Sequence, residues 1–528
     1  FLALSPVRTQ PSEARLPLEE ATMNRIRSRV SAWIMVLALV AGSSAWANNL
    51  QITNVTVTGR DNMTAFVKFD ISWENSWRYT NINHDAAWVF FKVLPDGRTD
   101  WEHVTLEGTG TNPTDYDIGS GTPIEMIVPA DQVGMIVRRS GEGAGTTAVQ
   151  NVKAVWNIAS NSLAKTDKVK LQAFGVELVY VAEGSFKVGD GSSDQGQLFE
   201  GGGGTNPFAI TNAGPIPCSN QVGCLWGAST SGNSTMGGNG LIPAEFPNGY
   251  AAFYCMKYEI TQGQYADFLN ALTRDQQAAR CTATTLNYYM SATAGGSAGI
   301  SYRNTVRLTA DPGGLAPREY TTATRDRACN WLSWADGAAF AAWSGLRPMT
   351  ELEFEKACRG PLAPVANEYA SGESAYTVIS GLQGTDGSGS ETYTAGNLIC
   401  SGSSPGGPVR VGIFATAAST RASAGASYWG IMELSGNVYE RAVTIGNATG
   451  RAFTGLHGNG VLTPGGDADV SNWPNTTASG AGFRGGRWGD AHAYARVSDR
   501  GSAASVNANR INSRGSRAVR SAPSGVGP

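Results

Sequence analysis

Seven cysteines (Cys218, Cys224, Cys255, Cys281, Cys329, Cys358, Cys400) and four histidines (His84, His103, His457, His492) are the side chains of this 528-residue sequence best suited to metal or nucleophile chemistry. Their spacing excludes the simplest versions of it. There is no C-x-x-C pair and the histidines are scattered, so a zinc site of the usual spacing is absent. An odd number of cysteines leaves one over if the rest form disulfides. Cys218 and Cys224 flank a short loop and could pair with each other; the other five suggest no connectivity. A second concentration of chemistry lies near the C-terminus, where residues 484–520 hold eight arginines against two aspartates. A basic segment of this kind can bind polyanions, but the whole chain carries a net charge of −3 and the segment contains no lysine. Those features oppose a nucleic-acid arm.

Some larger framework must position that segment. The length favours two domains. With 41% hydrophobic and 16% charged residues and 66 glycines, the chain reads as globular and loop-rich. Residues 1–22 read as untranslated or unstructured. Met23 then opens "MNRIRSRVSAWIMVLALVAGSSAWANN": three arginines, a short apolar run from Ala32 to Val40, and Ala45-Trp46-Ala47 as a small-x-small site. This has the form of a signal peptide over 23–47, its apolar run falling short of the ~20 residues a membrane-spanning helix needs. Residues 48–172 alternate as strands do in "LQITNVTVTG", "TAFVKFDISW", "AAWVFFKVL" and "NVKAVWNIA". They predict a small all-β domain, read as a sandwich. "VELVYVAEGSFKVGD" (176–190) predicts two short strands around a turn, and the glycine-rich stretch 190–245 a flexible loop. Capping boxes at Thr261/Gln264 and Thr350/Glu353 predict two helices, and "NWLSWADGAAFAAWSG" (330–345) a third between them. The aromatic residues of these helices read as core.

The segments "VYVAEGSFKVGD", "YEITQGQYADFLNAL", "LSWADGAAFAAWSGLRPMTELEFEKACRG", "WGIMELSGNVYER" and "GFRGGRW" occur in the order found in the formylglycine-generating enzyme (sulfatase-modifying factor) family, which this chain resembles over 176–522. The resemblance implies an α+β fold of C-type-lectin-like type, placed after the small all-β domain. The family's copper enzymes use a pair of cysteines just beyond the RGGSW-like strand, because Cu(I) favours soft thiolates. Here the last cysteine is Cys400, well before "GFRGGRW" (482–488). The iron-dependent branch uses a histidine cluster with a carboxylate, and only His457 and His492 lie in this half. The catalytic equipment is missing, so the expectation is a protein that is not an enzyme. In "SGNVYE" the resemblance implies a structural calcium held by Asn437, Glu440 and backbone carbonyls, since such oxygen ligands suit Ca²⁺. The alternative there is a buried Asn in a turn with Glu440 paired to an arginine.

The tail is most similar to the variable proteins of diversity-generating retroelements, which use the same fold without the enzymatic activity. In those proteins a C-terminal segment is rewritten at template adenines, turning AAC codons into NNC codons that never encode Lys, Glu, Gln, Met or Trp. Within the candidate variable region 484–520, "RGGRW", "ARVSDR", "AA", "ANR" and "RAVR" read as a frame. The positions between them are the candidate ligand-binding residues: Arg487, Gly489, Asp490, His492, Tyr494, Asp499, Gly501, Ser502, Ser505, Val506, Asn507, Ile511, Asn512, Ser513 and Ser516. Each is a type an NNC codon can encode, and none of the five excluded types occurs in 489–528. That absence supports the likeness only in part, because lysine already ends at Lys356 and glutamate at Glu440. Ser516 departs from the family, which usually has Phe there. Ala495, Val497, Ala503, Ala504, Ala518 and Val519 are expected to pack inward, with Arg496, Arg500 and Arg517 tying loops to carbonyls or acids. Tyr494 and His492 are the expected anchors, since an aromatic with few torsions buries area at low entropic cost.

These readings converge on an exported, non-enzymatic ligand-binding protein of receptor or adhesion type, periplasmic, cell-surface or secreted. It needs no cofactor beyond the calcium considered above. Its expected partner is an unknown protein or cell-surface ligand, with no nucleic acid and no transmembrane segment in the mature chain. The alternatives are a copper- or iron-dependent oxidase or oxygenase, and an invariant surface structural module.

Overall fold

The structure is a computed structural model that describes residues 35–40, 49–227, 232–402, 405–416 and 418–528. Residues 1–22, and the proposed signal peptide apart from 35–40, lie outside the described residues. The described chain divides into two compact units, the first from Asn49–Trp77 and Ala86–Val176, the second from Arg78–Asp85 and Glu177–Pro528. Among the described residues no helix is long and apolar enough to cross a membrane.

The first unit is built from strands, with one short 3-10 turn at Ile158–Asn161. In Thr64–Tyr79 the alternate residues Val67, Phe69, Ile71 and Trp73 are buried, as a strand with one face on a core requires. Gln51–Gly59 lies antiparallel to it, with a register shift between Thr53 and Thr56. Asn54 absorbs that shift in a left-handed conformation (φ 53°), which asparagine tolerates better than most residues, and its amide donates to Asp70. Met135–Arg139 pairs antiparallel with both Ile124–Val128 and the Ala87–Val89 stretch. All these strands share one core, which includes Val57, Phe91, Met126, Val137, Val152 and Trp156.

The second unit is mixed α+β. Leu178–Val181 runs antiparallel to Phe253–Met256, which pairs with the C-terminal strand Ala518–Ser521. That strand pairs in turn with Arg347–Thr350, which runs parallel to Glu440–Val443. Ala481–Arg484 completes the series, antiparallel to Glu440–Val443. The candidate variable region therefore leaves one strand of this sheet and returns to another that is flanked on both sides. Its ends are fixed by the ladder.

Four helices of seven residues or more pack here among the described residues, α1 (Gln262–Asn270), α2 (Arg274–Arg280), α3 (Trp334–Trp343) and α4 (Glu351–Arg359), with one further helical turn at Ala448–Arg451. The capping boxes expected at Thr261/Gln264 and Thr350/Glu353 are both formed. Two more are present, Thr273/Gln276 on α2 and Ser333/Asp336 on α3. Phe268 of α1 meets Phe340 and Trp343 of α3 edge-on at 5.8 and 5.2 Å, so these aromatics are core.

"VELVYVAEGSFKVGD" holds the two expected strands around a turn, but the first is longer, Val169–Val181, and each pairs elsewhere: Leu178–Val181 with Phe253–Met256, Phe186–Val188 with Phe208–Ile210. One sequence expectation needs correction. The stretch 190–245 is not merely a flexible loop. Leu198–Glu200, Leu225–Gly227, Ile216–Cys218 and Gly240–Ile242 form a four-stranded sheet in that order. Strands of three residues separated by turns leave too little periodicity to be seen in composition.

Candidate functional site

Residues 485–517 contain one short 3-10 turn (His492–Ala495) and otherwise no regular element, so side chains and turns must hold their path. The departure from Arg484 needs two left-handed residues, Gly485 (φ 85°) and Gly486 (φ 69°). A Cβ on Gly486 would come within 2.8 Å of the Ala495 backbone, so the loop also folds back onto its own start.

Buried arginines then fasten the loop to α4. Arg484 donates to Glu351 (3.2 Å), to Glu355 (3.0 Å) and to the Val497 carbonyl (2.6 Å). Arg500 donates twice to Glu351, at 2.5 and 3.0 Å, and once to the Gly196 carbonyl at 2.8 Å. Burial alone would raise the Glu351 carboxyl, but the guanidiniums of Arg500 and Arg484 outweigh it and hold it below the usual range. Arg517 bonds Glu440 and the carbonyls of Met256 and Met432. Arg510 forms a two-pronged pair with Asp336 of α3, and Arg496 reaches Asp194 at 2.7 Å. Ala495, Val497, Ala503, Ala504, Ala518 and Val519 are all buried, as the frame reading expects.

Twelve of the fifteen candidate positions keep some exposure. Gly489, Tyr494 and Val506 are the most open. His492 accepts or donates through Nδ1 to the Tyr369 hydroxyl at 2.8 Å and stacks on Tyr376 with centroids 4.5 Å apart. Arg487 and Asp490 pair with each other, and the Arg487 guanidinium also donates to Ser513. Gly501, Ser502 and Ser505 are half-buried along the turn that carries Ala503 and Ala504. Asn507 accepts from Arg514 through its side chain and from Arg441 through its carbonyl. Ile511 and Asn512 sit against Asn330 and Trp331, whose amide groups donate to their carbonyls.

The other three positions contradict the picture of a freely exchangeable side chain. Asp499 is 8% exposed, and burial pushes its carboxyl up to about 6 although it accepts from Gly501 N–H. Ser513 is 1% exposed beneath Arg487. Ser516 is 5% exposed and faces α3, where a Cβ added to Gly337 would lie 2.4 Å from its hydroxyl. The small serine at this position goes with the helix glycine opposite it.

Asn437 is engaged through both ends of its amide and Glu440 through Oε1, whereas the buried Glu440 Oε2 has no hydrogen-bond partner. Asn437 donates to Glu259 at 2.6 Å and accepts from Val409 N–H, while Glu440 is taken by Arg517. The pairing of Glu440 with an arginine, the alternative to calcium, is formed at Arg517. Among the described residues no group of three or more His, Cys, Asp and Glu side chains is placed to hold a metal ion. All seven cysteines are free thiols, so the Cys218–Cys224 pairing is not formed. Burial pushes Cys255 and Cys281 up to about 12, Cys329 and Cys358 well above the usual thiol range, and Cys218 and Cys400 upward.

Sequence reasoning missed the acidic partners and two arginines, Arg441 and Arg514. Glu351, Glu355 and Arg359 recur at i, i+4 and i+8 in "TELEFEKACR", which puts them along one face of α4. That spacing is a signal for a buried ion-pair row, and Arg359 does pair with Glu355 and Glu368.

Residues 227–522 match the family model described as the sulfatase-modifying factor enzyme 1-like domain, a match that begins later than the expected residue 176. A comparison with curated proteins finds no match.

Proposed function

Given that the chain belongs to the sulfatase-modifying factor enzyme 1-like family, we propose that it is an exported, non-enzymatic ligand-binding protein of lectin-like fold whose C-terminal loop is a diversified binding surface. The observation that carries this reading is the division of labour along 484–517. The path of the loop depends on buried arginines, alanines and Val497, while twelve of the fifteen candidate positions keep some exposure. Function mounted on loops over a rigid scaffold is the general arrangement for exchangeable recognition. The variable set is narrowed to the twelve positions with exposure, leaving Asp499, Ser513 and Ser516 with the frame.

The non-enzymatic part rests on side-chain chemistry. Copper–thiolate catalysis needs deprotonated sulfur, and burial opposes that at six of the seven cysteines. The direct check is a Cu(I) titration of the purified chain, and stoichiometric, tight binding would restore the oxidase alternative. The surface is tested by exchanging Gly489, Tyr494, Val506 and Asn512 as a set. The set should unfold at the parent's denaturant midpoint, and collapse of the fold would end the assignment.

A further inference from the structure

Beside the narrowed variable positions lies a group of charges that the frame does not neutralise. Arg441 (1% exposed) lies over the Phe483 ring at 4.1 Å and Arg514 over the same ring at 4.4 Å. Phe483 adjoins Tyr439, ring centroids 5.5 Å apart, and Arg487 lies over Tyr439 at 6.0 Å. Three guanidiniums thus share two neighbouring rings. Among the described residues the only carboxylate paired with any of them is Asp490, on Arg487. Arg441 donates to the carbonyls of Asn507 and Asn509, and Arg514 to the Asn507 side chain and the Asn509 carbonyl. The Arg441 Nε is buried and has no hydrogen-bond partner. Asp336 is the one acid that eases the burial of Arg441, and it is already committed to Arg510 and Arg280.

The contrast with Arg484, Arg500 and Arg517 is chemical. Each of those has a carboxylate, as a buried cation requires if its desolvation is to be offset. Cation–π contact and carbonyl acceptors lower the cost of the 441/514 pair but supply no opposite charge. Burial, with repulsion from Arg514, pushes Arg441 well below its usual range, and burial, with repulsion from Arg487, pushes Arg514 down as well. A planar guanidinium fork is suited to oxyanions, which it can engage through two parallel N–H donors.

We propose that Arg487 and Arg514, with the buried Arg441 adding positive charge behind them, form an oxyanion subsite that takes a carboxylate, phosphate or sulfate group of the bound ligand. It rests on reading this face as a ligand surface. Arg441 and Arg514 lie outside the candidate variable positions, so the subsite would be a constant feature next to changing ones, with Arg487 as this copy's addition. Anion charge would be common to the ligands, and shape would be read by the exchangeable neighbours.

The test is titration of the whole chain with sodium acetate, phosphate and sulfate, each against sodium chloride at equal ionic strength, followed by thermal unfolding and calorimetry. Saturable binding of at least one oxyanion is expected, weakened about tenfold or more in Arg514→Gln. Arg487→Gln, whose side chain is 32% exposed and removes no buried group, should also weaken it and guards against a folding defect in the first variant. Arg98→Gln, an exposed arginine of the first unit, should leave binding unchanged. A preference for acetate would assign a planar carboxylate, and a preference for sulfate or phosphate a tetrahedral group. Non-saturable responses, or equal binding by parent and both variants, would overturn the subsite. The fate of the diversification reading is decided separately, by codon variation: a subsite on an invariant tail would stand, and variation without oxyanion binding would remove the subsite alone.

Discussion

Two sets of side chains alternate along residues 484–517, and they differ in what else in the protein depends on them. Arg484, Arg500, Arg510 and Arg517 reach carboxylates on α3, on α4 or in the strand at Glu440, and remain wholly or largely buried in doing so. Gly489, Tyr494 and Val506 are carried by the same loop but reach little beyond it. The loop gets its rigidity from charge pairs because it has almost no ladder or helix of its own. Long-range ion pairs leave the intervening positions free of structural duty, which repetitive secondary structure would not do so readily.

The largest effect should come from breaking the charge network. Glu351 receives Arg484, Arg500, the Thr444 hydroxyl and Ile445 N–H. Glu351→Gln leaves the buried Arg500 without a carboxylate and Arg484 with Glu355 alone, and should cost about 3–5 kcal/mol in denaturant unfolding. Because the folded carboxyl is held below its unfolded value, its contribution is fully present above the ordinary glutamate range. It is lost as pH falls through the folded value, so the parent should lose stability in acid while the variant responds less. A smaller loss, roughly 1–3 kcal/mol, is expected for Gly337→Ala, which pushes a methyl into Ser516. Unfolding of Gly337→Ala at the parent's midpoint would show that Ser516 is not confined by α3 and would return it to the variable set.

Asp499→Asn should act in the opposite direction. Its folded carboxyl is raised to about 6, so the folded state binds the proton more tightly than the unfolded chain does. That contribution is present below the unfolded value near 3.8 and is lost as pH rises through about 6. The amide removes the penalty of a buried charge, and stability at pH 7 should rise by up to roughly 3 kcal/mol, with a flatter profile between the two values. No gain at pH 7 would mean that the buried carboxylate carries no net penalty in the folded chain. The smallest effects belong to Tyr494→Ala, Val506→Ser and Gly489→Ala, each within about 0.5 kcal/mol of the parent.

The parts of this architecture that were legible in the sequence are local. Thr261/Gln264 and Thr350/Glu353 announce their helices within four residues and are followed by apolar stripes. Thr273/Gln276 carries the same signature on α2, but "RDQQAAR" offers no stripe to accompany it. The inward alanines and the tying arginines of the tail were legible by type. Their partners were not, because Glu351 and Asp336 lie more than a hundred residues away from Arg500 and Arg510. The burial of Ser516 was hidden for the same reason, since only the fold brings Gly337 against it. Ser516 was a candidate variable position that departs from the family pattern, and it is buried where Gly337 leaves no room for a larger neighbour.

The most direct measurement is sequencing of this gene's 3′ end and flanks across many cells of one population. The account predicts variation at the twelve exposed positions and constancy at Arg484, Arg500, Ser513, Ser516 and Arg517. It also predicts a nearby template copy carrying AAC at the variable codons, beside a reverse transcriptase. An invariant segment with no template copy would contradict it, and the tail would then be the fixed face of a surface module with one ligand.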